Sequence, residues 1–138
     1  MDIAALITWV ITALGGFYML GTWIAHGGAR GGTSHLPVPV IFGHFALAAI
    51  GLVVWIIYVI NDKDALAWTA FGLLVPVALL GFTMLARWLP VYRDRTAAPA
   101  TGELPAERHF PAAVVAGHGL FAVVTVVLVL LTALGIGD

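Results

Sequence analysis

Four continuous apolar runs, roughly residues 3–25, 38–60, 65–88 and 111–136, occupy most of this chain of 138 residues. Each supplies about the twenty residues that an α-helix needs to cross about 30 Å of hydrocarbon. Backbone amides in lipid find no water, so only helices and closed barrels span a membrane. Barrel strands alternate apolar and polar residues, and these runs do not alternate. With 62% hydrophobic and 9% charged residues and a mean hydropathy of +1.05, almost nothing is left for a soluble domain. The expectation is an all-α integral membrane protein, a single transmembrane domain folded as an up-down-up-down four-helix bundle in contact with lipid. No Lys or Arg precedes the first run, so the basic segment of a secretory signal is missing and that run is expected to stay as a helix.

The side on which charge lies sets the expected orientation. Arg30 falls in the first loop, and Arg87, Arg93, Arg95 and Arg108 in or beside the third. Lys63 alone falls on the opposite side, with Asp2, Asp62, Asp64 and Asp138. Basic residues collect on the cytoplasmic side, so both termini are expected outside a plasma or inner membrane. Trp23, Trp88 and Tyr92 near one end, and Trp55, Tyr58 and Trp68 near the other, suit interfacial aromatic belts. A net charge of −1 gives no reason to expect nucleic acid as a partner. The absence of cysteine excludes disulfides, thiolate-bound metals and iron–sulfur clusters.

The chain also repeats itself. His35, Pro37, Val40, Gly43 and His44 return as His109, Pro111, Val114, Gly117 and His118, 74 residues on. Ala13, Leu14, Gly16, Phe17, Met19, Leu20 and Trp23 return as Ala78, Leu79, Gly81, Phe82, Met84, Leu85 and Trp88, 65 residues on. Two tandem helical hairpins follow, about 3–60 and 65–136, differing by nine residues in the later loop. Both copies begin on the same side, which makes them parallel repeats about an axis along the membrane normal. Helices two and four are then diagonal across the bundle. Pro37 and Pro111 fall in first turns, where a missing N–H costs little. Pro76 falls inside helix three, where it should bend the helix.

His44 and His118 each lie about seven residues into their helices, roughly 10 Å along the axis. They share a depth and face one another across the expected two-fold. An ionisable side chain within a membrane helix points to a functional site. Two imidazoles on diagonal helices suit the two axial positions of a haem iron. The plainer alternative is that each histidine hydrogen-bonds a neighbouring helix. Met19 and Met84 share the same depth. As ligands with the imidazoles they would suit Cu(I); as packing they fill gaps, including those around a macrocycle. Gly43, Gly117 and Gly119 beside the histidines allow either close helix packing or room for a flat cofactor. Arg87 is the best placed of the basic residues to bind a haem propionate.

His35 and His109 stand nine residues earlier, about 13.5 Å along the axis and turned by about half a turn. That is a poor position for a second haem pair. With His26 they are surface candidates for helix capping, headgroup contact, a metal or proton uptake. No Ser-His-Asp set and no phosphate-cradling glycine loop is present. No span holds a carboxylate for pumping or a lysine for a retinal Schiff base.

One histidine on each of two facing helices of a four-helix membrane bundle resembles small b-type cytochromes of the cytochrome b561-like kind. The resemblance covers the architecture with His44 and His118, and it implies haem-based electron transfer, often with quinone. Those proteins often carry two haems near opposite faces; this chain has no second pair, so a single haem is implied here. One haem near the cytoplasmic face leaves most of about 30 Å unspanned. Electron exchange with quinone, with a partner subunit or within a homo-oligomer is therefore expected. The loop from Arg93 through Glu107 and Arg108 is the candidate docking surface, and its Ala/Pro/Thr-rich middle is expected to be flexible. A non-catalytic scaffold subunit of a larger complex is the competing expectation, and copper handling a third.

Overall fold

In a computed structural model of the chain, described for residues 1–96 and 102–136, four α-helices account for most of the fold. They are α1 (Asp2–Ala25), α2 (Val38–Asn61), α3 (Asp64–Arg93) and α4 (Ala112–Ala133), with short 3₁₀ turns at Gly28–Arg30 and Ala106–His109. No strand occurs among the described residues. All four helices are long and apolar enough to cross a membrane. The middle of the third loop and Asp138, on which flexibility and terminal charge were expected, lie outside the described residues.

Two helix ends differ from the sequence expectation. α4 stops at Ala133, three residues short, because Gly135 takes φ +69°. Its N–H donates to Thr132 O at 2.9 Å, and that of Ile136 to Leu131 O at 2.9 Å, the paired bonds of a Schellman terminus. α3 runs five residues longer, through Pro90 to Arg93, as one helical element that also includes Pro76. Its last turns are held down by Trp88, which stacks on Tyr92 at 4.8 Å and donates its indole N–H to Glu107 O at 3.1 Å.

α1 packs chiefly on α4 and α2 on α3; the α3–α4 contact is smaller and the α1–α2 contact slight. Two tight pairs therefore lie side by side, and neither consists of one expected hairpin. The α2–α3 link is short enough to force that pairing. Only Asp62 and Lys63 separate the helices, with Asp62 at φ 51° and its N–H on Tyr58 O at 2.7 Å. The buried positions follow the sequence offsets. Ala5, Trp9 and Trp23 of α1 correspond, 65 residues on, to buried Ala70, Leu74 and Trp88 of α3. Gly51, Trp55 and Tyr58 of α2 correspond, 74 residues on, to buried Thr125, Val129 and Thr132 of α4.

The interior divides into two clusters. One, near the chain termini, gathers Ala5, Trp9, Trp55, Tyr58, Ala70, Leu74 and Val129. The other, at the loop end, gathers Trp23, Leu36, Ile41 and Ala106. Trp23, Trp55, Trp88 and Tyr58 are buried, which corrects their expected placement as lipid-facing belt residues. An indole enters a low-dielectric core only if its N–H is bonded. Here Trp23 donates to Ser34 Oγ, Trp55 to Asp2 O and Trp88 to Glu107 O. Trp68 remains exposed, as do Leu14, Phe17, Ile60, Leu79, Phe82 and Leu120. A contiguous apolar exterior of that extent is foreign to a water-soluble monomer and normal against lipid.

Candidate functional site

Between the two clusters, His44 on α2 and His118 on α4 meet across the boundary of the two helix pairs. Their ring centroids are 6.2 Å apart and their planes 55° apart. His44 Nδ1 lies 2.9 Å from Val77 O on α3, and His118 Nδ1 lies 2.8 Å from Thr12 O on α1. A carbonyl can only accept, so each neutral ring carries its proton on Nδ1 and keeps its lone pair on Nε2. That is the tautomer of a metal-binding imidazole oriented by a carbonyl behind it. The two acceptors, Thr12 and Val77, are 65 residues apart, and the two histidines 74.

Two glycines make the space for these rings. A Cβ at Gly16 would come within 3.2 Å of His118 Cε1, and one at Gly81 within 3.3 Å of His44 Cε1. Any side chain there would press on an imidazole. By contrast, a Cβ at Gly117 or Gly119 would meet nothing within 4 Å, and Gly119 lies on the exposed face of α4. On the α1–α2 side Phe17 lies edge-on to Phe45 at 5.6 Å and Phe42 edge-on to Trp23, with all three phenyl rings exposed on their outer side.

Met19 and Met84 are half-buried, and Met84 packs against the cluster around Trp23. Arg87 is exposed and donates from Nη1 to His35 O at 3.2 Å, which ties α3 to the start of α2. His35 and His109, equivalent in sequence, do not pair with each other. His109 stacks on His26 at 3.6 Å with planes 14° apart, while His35 bonds Glu107. A metal ion sits in the plane of each imidazole that binds it, and stacked rings do not converge on one ion. Among the described residues no group of three or more His, Asp or Glu gathers as a metal would require from protein ligands alone.

Glu107 is the residue that sequence reasoning assigned to the wrong environment. Placed in a loop and read as part of a docking surface, it is 0% exposed. Ser34 Oγ donates to its Oε2 at 2.8 Å and the His35 backbone N–H to its Oε1 at 2.6 Å, with His35 Nδ1 3.1 Å from the same oxygen. Ser34 in turn accepts from the Trp23 indole at 2.9 Å and from Leu36 N–H at 3.2 Å. A buried carboxylate persists only when its oxygens are bonded in this way. The network ties the first loop to the third and covers the loop end of the bundle. Within the third loop, Arg108 donates to Arg95 O. The only sequence signal was position: Ser34 directly precedes the recurring segment at His35, and Glu107 stands two residues before its copy at His109.

Compared with known protein families, with curated proteins and with solved structures, the chain matches none. The site's own chemistry therefore carries the functional reading.

Proposed function

We propose that this protein holds one b-type haem between His44 and His118 and transfers electrons within the membrane. The observation that carries the reading is the spacing of the pair. Metal–imidazole bonds of about 2 Å on either side of one ion, plus about 1 Å from each nitrogen to its ring centre, put the centres about 6 Å apart. The rings stand at 6.2 Å. The Nδ1 bonds to Thr12 and Val77 would set ring orientation and raise ligand basicity, while the looser boundary between the helix pairs supports room for a macrocycle. When bound, the haem supplies a one-electron redox couple.

Around it, Arg87 is the proposed propionate partner, since its single bond to His35 O leaves further guanidinium donors. Met19 and Met84 are proposed as packing against the macrocycle. The histidine end faces the cytoplasm of a plasma or inner membrane, following the basic loops. Electron exchange is with quinone, a partner subunit or a second copy, since one haem near one face leaves most of about 30 Å unspanned. One observation favours a second reading, that of a scaffold subunit: both histidines already bond the neighbouring helix, which by itself would account for them. Nothing in the placement of Met84 favours copper.

An absorption spectrum of the protein purified in detergent separates these readings. A sharp α-band on reduction is the expected result, lost in both His44→Ala and His118→Ala and kept in Lys63→Ala. A colourless protein after expression with ample haem would leave the scaffold reading standing.

A further inference from the structure

A cavity of about 460 Å³ opens at the loop end of the bundle, outside the histidine pair. The first loop contributes Gly28, Thr33 and Ser34 to its wall, the third loop Glu103 and His109, and the end of α1 His26. That volume lies in the range of small-molecule sites. Its depth is that of lipid headgroups, because the apolar span of α1 ends at Ala25, directly before His26. We infer that this cavity holds the phosphoethanolamine headgroup of a phospholipid from the leaflet at the loop end. The site needs only the membrane-spanning fold; no electron carrier enters into it.

One part of the wall accepts. The Glu103 carboxylate has no ion-pair partner among the described residues. His26 Nδ1 lies 2.7 Å from Thr22 O, and His109 Nδ1 lies 3.2 Å from Ala106 O. A carbonyl only accepts, so each neutral ring spends its N–H there and keeps Nε2 as an acceptor. The two rings are stacked 3.6 Å apart and within 14° of parallel, which fixes each against the other. A carboxylate beside two imidazole nitrogens suits a primary ammonium, which is cationic and donates three N–H bonds.

Another part donates. The backbone N–H groups of Gly32, Thr33 and Ser34 meet no acceptor among the described residues, and neither does the Thr33 hydroxyl. Successive backbone N–H groups favour an anion. Exposed Arg30, in the same loop, adds the charge that favours a phosphodiester. A zwitterion of ammonium and phosphate answers both parts. The trimethylated headgroup of a choline lipid has the charge but no N–H, and a glycerol headgroup has donors but no positive charge. The wall is also built in advance of a ligand. Gly28 lies so close on the Trp23 indole that a Cβ there would come within 2.2 Å of it, which seats the first loop on the core. Leu104 in the wall and Ile24, two residues before His26, are both exposed and offer apolar surface to the glycerol and acyl parts of the lipid.

The test is native mass spectrometry of the full-length protein in detergent, titrated with phospholipids of matched acyl chains. Phosphatidylethanolamine should bind about tenfold more tightly than phosphatidylcholine, the worth of a lost charge-assisted hydrogen bond. Its mono- and dimethylated forms should fall between the two. That series uses the unaltered chain, so its result stands even where a variant fails to fold. Glu103→Gln should erase the preference and leave phosphatidylcholine binding as it was. His26→Phe and His109→Phe keep a stacked pair but each remove an acceptor nitrogen, and each should reduce the preference in part. Equal affinity for ethanolamine and choline lipids, or a preference that survives Glu103→Gln, overturns the inference. Tighter binding of phosphatidylglycerol than of phosphatidylethanolamine would assign the surface to its arginines and overturn it as well. Soluble phosphoethanolamine that binds as tightly as the lipid would place the ligand in solution and overturn the lipid source.

Discussion

At the scale of single residues, the histidine layer depends on what its neighbours lack. Gly16 and Gly81 leave room for the imidazoles of His118 and His44, and no other residue type does so without moving a ring. Gly16→Val and Gly81→Val should therefore overpack the site by about 1–3 kcal/mol. In haem titration the affinity of the proposed site should fall by roughly tenfold or more, whereas Gly119→Ala, which fills open space, should change little. Equal effects at all three positions would show that the rings are not held against these glycines. Glu107 is the second pressure point. Glu107→Ala strips the acceptor from the hydroxyl of half-buried Ser34 and the N–H of exposed His35, at about 1 kcal/mol for each bond lost. A lowered thermal midpoint in detergent is expected, with Glu107→Gln milder because one oxygen remains. The histidines were legible from recurrence at matched depth. Glu107 was not, because a charged loop residue is ordinarily solvated and nothing local marks one that is buried.

At the scale of elements, termini and contacts were set by features that hydropathy does not contain. An apolar count carries α4 to residue 136, yet the helix ends where Gly135 turns to positive φ and two amides close the Schellman bonds. Gly135→Ala should cost about 1 kcal/mol, since an L-residue resists that conformation; an unchanged unfolding midpoint would contradict the assigned terminus. In the α1–α4 pair, Thr125 donates to Thr8 Oγ1 at 2.9 Å. The corresponding α2–α3 positions, Gly51 and Leu73, lack hydroxyls. Interhelical bonds of this kind are worth about 0.6 kcal/mol on average in membranes. Thr125→Val should accordingly destabilise the bundle only slightly, and a loss several times larger would mean that the hydroxyl serves something beyond packing.

At the scale of the whole molecule, the apolar exterior and the charge asymmetry make topology the governing test. Single cysteines at positions 2, 63 and 95, labelled from either side of intact cells, should report the first two as extracytoplasmic and the third as cytoplasmic. Cytoplasmic labelling at position 63 would invert the orientation and place the proposed haem near the opposite face. The pairing of α1 with α4 and α2 with α3 also has a consequence. If a cofactor occupies the boundary between the pairs, its loss should loosen that boundary first, seen as faster amide exchange at the α1–α2 and α3–α4 contacts than within either pair.

The sequence by itself determined the solvent, the number of spans and the depth of His44 and His118. Those follow from transfer free energy and a fixed helical rise, both of which are local. Its recurring offsets also matched positions that prove buried, because equivalent positions of similar helices meet similar neighbours. Tertiary structure alone decided that Trp23, Trp55 and Trp88 turn inward, that Glu107 is buried beneath the loops, and that His109 stacks on His26 instead of pairing with His35. Each of these outcomes depends on whether a polar atom finds a partner from a distant segment. Satisfying buried hydrogen bonds is a property of the assembled chain, and no window of sequence contains it.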